Sequence, residues 1–305
     1  MILCICPNPS VDKYVWLKTF VEREPNRATK EKNFPGGKGI HVAFGLKELG
    51  HEVKILGFWG GPTGAWIQEQ CRKSGITCAG PETELWTRTC ITFKSDGQVN
   101  DTELLGTGPE IDLKLFSSFV KTYKELISDA ECVTMSGSWP KGAPDNGYAQ
   151  LIEIANQHRK KVFLDCAGHQ LINAFSQKPF TIHLNEKEAK ELKPAATMEE
   201  SVLTLTNDCQ FAAVTAGARG LFYSDGKQII HAKIELKNIH STVGSGDSLL
   251  AGLTSAYCKN LNLEETSRLG AACGAANCLR EDLGVFYKTD VDKLLGKVDL
   301  RKINP

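Results

Sequence analysis

The chain has 305 residues, with 36 Lys plus Arg against 36 Asp plus Glu, so its formal net charge is zero. That balance argues against a broad nucleic-acid or membrane surface; any basic residue that matters must act locally. The length allows one large or two medium domains with a full core. The 11 cysteines, none in a CxxC pair, fit buried thiols in a reducing compartment better than disulfides or a metal. No apolar run approaches ~18 residues and no leader-like segment opens the chain, so the expectation is a soluble cytoplasmic protein.

Met1 to Cys6 is a short apolar run stopped by Pro7, a buried first strand with Cys4 and Cys6 on one face. Asn8 to Asp12 reads as a turn that leaves Asp12 just past the carboxyl end of that strand, where open α/β sheets bind ligands. Lys13–Glu24 and Asn26–Asn33 read as half-exposed strands. Pro35-Gly-Gly-Lys-Gly39 then opens a helix over Ile40–Leu49 that Gly50 stops. Val53–Trp59 is a strand, and Gly64–Lys73 a helix. Arg88–Phe93 and Gln98–Leu105 flank a hairpin turn at Ser95-Asp-Gly97. Ile111–Ile127 is helical, and Cys132–Met135 is a strand running into Ser136-Gly-Ser. Helix Tyr148–His158, strand Lys161–Asp165 and strand Phe180–Leu184 follow, and Asn185 begins a helix rich in Glu and Lys. Phe211–Thr215 is a strand, and Gly220–Tyr223 with Gln228–His231 a hairpin. Helices Gly246–Cys258 and Glu264–Arg280 are expected to close the chain.

Strands alternating with helices predict an α/β fold, a parallel or mixed sheet with helices on both faces. Segments of about 12–34 and 86–106 carry strand pairs without helices, and are expected to pair as a small sheet outside the main one.

The sharpest chemical signal is Ser241-Thr-Val-Gly-Ser-Gly-Asp-Ser248. A glycine turn opening a helix presents free N–H groups at the positive end of the dipole, a site for phosphate. Asp247 beside such a site can take the proton from an attacking hydroxyl. Taken alone, the same stretch equally fits an Asp that caps a helix. Gly36, Gly37, Lys38 and Gly39 give a cationic donor at a second glycine-rich helix entry; on its own such a lysine is as well explained as a solvated turn residue. Arg27 and Arg88 lie in the two inserted segments. Either alone reads as a surface charge; with Lys38 they would form a local basic pocket. Asn185 and Glu188, three apart at a strand end, could hold Mg²⁺ through waters and a phosphate, although most glutamates on such a helix face solvent. Thr215-Ala-Gly-Ala-Arg-Gly220 is a further strand-to-glycine turn that could approach a nucleotide. The chain has no GxxxxGK[ST], no HRD or DFG set, no GxSxG and no HExxH, which argues against P-loop, protein-kinase, α/β-hydrolase and zinc chemistry.

These motifs, in this order and spacing, resemble the ribokinase-like carbohydrate kinases, the PfkB family, and look most like the branch holding 1-phosphofructokinase and tagatose-6-phosphate kinase. The resemblance runs from end to end and rests on Asn8-Pro-Ser-Val-Asp12, Gly36-Gly-Lys-Gly39, Arg88, Ser136-Gly-Ser, Asn185-x-x-Glu188 and Thr242-Val-Gly-Ser-Gly-Asp247. It implies a single three-layer α/β/α domain over 1–305, with a small β-sheet lid built from the two inserted segments and often paired in a homodimer. It implies that Asp247 is the catalytic base and that Gly244, Ser245 and Gly246 supply the anion hole. Asp12, Gly37 and Ser136 would meet the sugar, together with His41, and Lys38, Arg27 and Arg88 would hold a phosphate already on it. Asn185, Glu188, Thr215, Gly217, Gly220 and Asn277 would serve ATP, with Glu188 reaching Mg²⁺ through water. Two positions depart from the family pattern: His41 stands where Asn is usual, and His183 where Lys is usual. The function implied is ATP-dependent phosphorylation of a ketohexose monophosphate. A kinase of an unphosphorylated sugar or nucleoside, a non-catalytic sugar-phosphate sensor and an interaction protein are the competing expectations.

Overall fold

A computed structural model describes residues 1–95, 101–282 and 284–304. Its main sheet has ten strands. From one edge they run Thr77–Ala79, Val53–Gly57, Ile2–Cys6, Cys132–Ser136, Lys161–Asp165, Thr181–Asn185 and Phe211–Thr215, all parallel, and then Leu221–Ser224, Ile229–Lys233 and Asp299–Ile303, antiparallel. The first strand shows why the sheet is sandwiched. Leu3 and Ile5 join one apolar cluster, with Phe119, Leu151 and Val202 from helices on one face. Ile2, Cys4 and Cys6 join another, with Ile40, Leu46 and Leu250 from helices on the opposite face. A strand apolar at every position must be covered on both sides. All 11 cysteines are free thiols, most of them buried.

The inserted segments do pair. Ser10–Trp16, Lys30–Gly36, Arg88–Lys94 and Thr102–Leu104 form a separate four-stranded sheet. Its strands are shorter than expected: residues 17–29 lie outside them, in an exposed connection. Asp12 is inside a strand rather than in a turn. The hairpin turn at 95–97 and the start of the expected strand 98–105 lie largely outside the described residues. The chain does not close on two helices: helix Lys288–Leu295 and the edge strand Asp299–Ile303 follow. Helices Gly168–Phe175 and Met198–Leu205 were also not expected. Among the described residues no helix is long and apolar enough to cross a membrane.

Candidate active site

The parallel strands end in a row, and Cys6, Ser136, Asp165, Asn185 and Thr215, from five neighbouring strands, line one cavity of about 690 Å³. The small sheet forms its other wall with Ser10, Asp12, Arg88, Cys90, Thr92 and Glu103. Two helix N-termini point into it. A second hollow of about 450 Å³, at the amino ends of the strands near Lys161 and Lys178, holds none of these residues.

The first N-terminus belongs to Lys38–Glu48. Gly37 precedes it at φ 99°, a left-handed value that favours glycine. Gly36 has a different reason: a Cβ there would sit 2.0 Å from Cγ of Asp12. The glycines thus let the helix start against the strand carrying Asp12. The second N-terminus belongs to Ser245–Cys258, preceded by Gly244 at φ 82°, and no side chain caps it. The Ser245 N–H turns back to the Thr242 carbonyl at 3.2 Å, and with no side-chain cap the rest of the helix mouth is open in the way an anion site requires. Asp247 is not that cap. It lies in the first turn, is 5% exposed, and accepts from His41 Nδ1 on Oδ2 at 2.9 Å. The turn is braced from behind, where Asn277 Nδ2 donates to the Val243 carbonyl at 2.8 Å.

Deeper in, Asp165 is held by two basic side chains. Lys38 Nζ donates to Oδ1 at 2.7 Å, and His183 Nδ1 lies 2.7 Å from Oδ2. Burial alone would push the Asp165 carboxyl up, but Lys38 and His183 outweigh it and hold it well below the usual carboxylate range. Asp165 in turn, against the cost of burial, keeps Lys38 well above the ordinary lysine value. His183 Nε2 lies 3.2 Å from Thr215 Oγ1, and its ring backs the Gly244–Gly246 turn: a Cβ on Gly246 would be 3.0 Å from His183 Cε1. Sequence reading missed Asp165 as a site residue and took Lys161–Asp165 only as a strand; a carboxylate at a strand's carboxyl end was the available signal.

Arg88 opens its strand and reaches back, donating to the carbonyls of Asn8 at 3.1 Å and Gly106 at 3.2 Å. Buried polar atoms without a partner among the described residues gather here, Arg88 Nε, Asn8 Oδ1 and Ser136 Oγ among them, as they do where a ligand supplies the missing bonds. Cys6 lines the cavity too, but burial pushes its thiol up to about 12, so it stays protonated and is no nucleophile.

Of the residues expected at the site, Asp12, Gly37, Lys38, His41, Arg88, Ser136, Asn185, Glu188, Thr215, Gly244, Ser245, Gly246 and Asp247 all line the cavity. Arg27 does not. It lies in the exposed connection between two strands of the small sheet. Lys38 lines the cavity but is paired with Asp165 rather than grouped with Arg88. Gly217, Gly220 and Asn277 are outside the lining. Gly220 sits where a Cβ would be 2.3 Å from the Ala232 carbonyl oxygen, a packing reason for glycine, and Asn277 braces the turn. Asn185 and Glu188 form a reciprocal helix cap: Asn185 Oδ1 accepts from the Glu188 amide at 3.0 Å, and Glu188 Oε2 accepts from the Asn185 amide at 2.9 Å. Glu188 Oε1 has no hydrogen bond among the described residues.

A buried carboxylate beside an uncapped helix mouth, inside a cleft between two sheets, is an arrangement suited to moving a phosphoryl group onto a hydroxyl. The comparisons agree with that class. Residues 8–289 match the pfkB family carbohydrate kinase model. The chain is 31% identical, over 99% of its length and 100% of the relative's, to 1-phosphofructokinase of Bacillus subtilis (strain 168). Phosphofructokinase-2 from Escherichia coli in complex with potassium superposes with a TM-score of 0.88 at 24% identity, covering 97% of this chain and 98% of the other. The tetrameric inhibited form of the same E. coli enzyme gives 0.87 at 24%, with the same coverage. The chain therefore belongs to the pfkB family of carbohydrate kinases.

Proposed function

We propose that this kinase transfers the γ-phosphoryl group of ATP to a hydroxyl of a ketohexose monophosphate, giving a bisphosphate. The observation that carries the reading is Asp247, a buried carboxylate on the same turn as the uncapped Gly244–Gly246 mouth, facing a cavity whose far wall holds Arg88. The name of the B. subtilis relative supports a phosphorylated sugar as acceptor.

The sugar lies between Asp12 and Gly37, with its phosphate against Arg88, whose guanidinium fork suits phosphate geometry. Its free hydroxyl faces Asp247. As the sugar oxygen bonds to phosphorus, Asp247 Oδ1 takes the hydroxyl proton and the bond from phosphorus to the leaving oxygen of ADP breaks. The amides of Gly244, Ser245 and Gly246 hold the phosphoryl oxygens where charge builds up. Lys38, held by Asp165, presents a fixed cation on this path, and His183 lines it where the family usually carries Lys. Asn185 and Thr215 stand on the nucleotide side, and Gly217, Gly220 and Asn277 act behind it.

The residues fit Mg²⁺ bound largely by water and substrate. No group of three or more His, Cys, Asp or Glu among the described residues forms a cage, yet Glu188 lines the cavity and only its Oε2 is used in the helix cap. Glu188 would hold it through water, and the ion would neutralise phosphate charge. The small sheet serves as a lid that excludes water when it closes. We also propose that the small sheet, at which Leu104 is exposed and beside which Phe20 is exposed, pairs with a second copy of the chain.

The test is ATP turnover against fructose 1-phosphate, tagatose 6-phosphate, fructose 6-phosphate and the free sugars. Preference for one phosphorylated ketohexose is expected. Equal use of free fructose or ribose would remove the phosphate pocket from the account.

A further inference from the structure

His41 bridges two carboxylates that the chain brings together from distant segments. Its Nδ1 is 2.9 Å from Asp247 Oδ2, on helix Ser245–Cys258, and its Nε2 is 3.3 Å from Asp12 Oδ2, on a strand of the small sheet. Asp12 is fixed on its other side, since Oδ1 accepts from the Ser10 hydroxyl at 2.5 Å. The imidazole cannot swing away, because Gly284 packs on its back so closely that a Cβ there would lie 2.3 Å from His41 Cγ. His41 itself is 6% exposed.

Each ring nitrogen faces an acceptor. A neutral imidazole has only one N–H, so one nitrogen lone pair would point at a carboxylate in a buried place. The doubly protonated ring gives Asp247 a hydrogen bond from Nδ1 and sets its positive charge against Asp12, whose contact with Nε2 at 3.3 Å is an ion pair rather than a hydrogen bond. Burial works against that charge, but the close contacts and charges of Asp12 and Asp247 outweigh it and carry the ring up to about 10. Other charged groups face the same space. Glu103 and Arg88 approach from the small sheet, with Asp101 behind Glu103 and paired to Lys94, and Lys38 lies one turn earlier on the ring's own helix. Lys38 is already neutralised by Asp165, so the acidic neighbours dominate around the ring.

We infer that His41 is a positioning residue for phosphoryl transfer: its ring donates to Asp247 Oδ2 while facing Asp12, so that the proton-accepting oxygen Oδ1 and the sugar-binding carboxylate are held in one fixed geometry. This rests on Asp247 being the base, as proposed above. His41 keeps both its protons through the reaction; the sugar's proton goes to Asp247. One ring thus couples the side chain that grips the sugar to the side chain that activates it. Losing a ring proton places a lone pair against one of the two carboxylates and removes the charge that holds them together. Turnover should therefore depend on the charged ring.

The test uses the full chain with His41→Asn and His41→Ala, and Asp247→Asn beside them. kcat and KM are followed from neutral pH to above about 10, with thermal unfolding at neutral pH as a check on folding. In the wild type kcat should fall on the alkaline side. His41→Asn, whose amide can donate to only one of the two carboxylates, should lose ~10-fold or more in kcat and flatten that alkaline limb. A ring nitrogen NMR titration of the wild type gives a readout free of turnover: both nitrogens should be protonated at neutral pH, and Asp247→Asn should shift the titration downward. A neutral ring at neutral pH, or both His41 variants matching wild-type kcat and pH profile, would overturn the inference. Full turnover in Asp247→Asn would instead sink the base assignment, whatever His41 does.

Discussion

Lys38 Nζ and Asp165 Oδ1, 127 residues apart in sequence, meet at 2.7 Å in the wall of the cavity. The pair sets a dependence on acid. Asp165 is depressed in the folded chain, so its contribution to stability is complete above the ordinary carboxylate value of ~3.9 and is lost as pH falls through its lower folded value. Chemical denaturation across acid pH should show this loss. Asp165→Asn should flatten it and cost about 2–3 kcal/mol at neutral pH, less than breaking a fully buried pair because the Lys38 side chain keeps 41% of its exposure. Unchanged stability and acid dependence would mean that the pair holds nothing.

Arg88 should act on the sugar, not on the chemistry. Removing a charged hydrogen-bond donor costs ~1.5–3 kcal/mol, so Arg88→Ala should raise KM for the phosphorylated sugar roughly 10- to 100-fold, with kcat and the KM for ATP changing little. Steady-state kinetics with both substrates varied checks the split. The same variant should lose its discrimination against the unphosphorylated sugar.

The first glycine of Gly36-Gly-Lys-Gly39 is set by space. In Gly36→Ala the new methyl would fall 2.0 Å from Asp12 Cγ, which must move. A loss of ~1–3 kcal/mol in stability is expected, with a raised KM for the sugar. Gly50→Ala is the contrast: φ is +91°, but a Cβ there would meet nothing within 4 Å, so only backbone strain of ~1 kcal/mol should appear and the kinetics should hold. Thermal melts and sugar KM values of the two variants decide whether the glycine motif serves the site or merely the turn.

The parts of the site that rest on local pattern were legible in the sequence. Strand ends and glycine turns announce themselves through apolar runs and residues that tolerate positive φ, and so Asp12, Gly37, Asn185, Thr215 and the turn at Gly244–Asp247 were found. What the sequence hid is what the fold brings together. His41 and Asp247 are 206 residues apart, and nothing in their spacing says they touch. Lys38 was grouped with Arg88 by charge, but its partner is Asp165 across the sheet edge. Arg27 was placed by type alone, and it lies in an exposed connection outside the cavity lining. Helix Met198–Leu205 was overlooked although Thr197 and Glu200 carry its cap in plain view, Thr197 Oγ1 accepting from the Glu200 amide at 3.1 Å.

The account turns on Asp247 as proton acceptor, and the kcat of Asp247→Asn with saturating ATP and sugar phosphate tests this most directly. The amide keeps the shape but cannot take the proton, so a loss of at least ~10² in kcat is predicted, with KM values near wild type and a folded protein by thermal melt. A folded Asp247→Asn that turns over at close to the wild-type rate would contradict it.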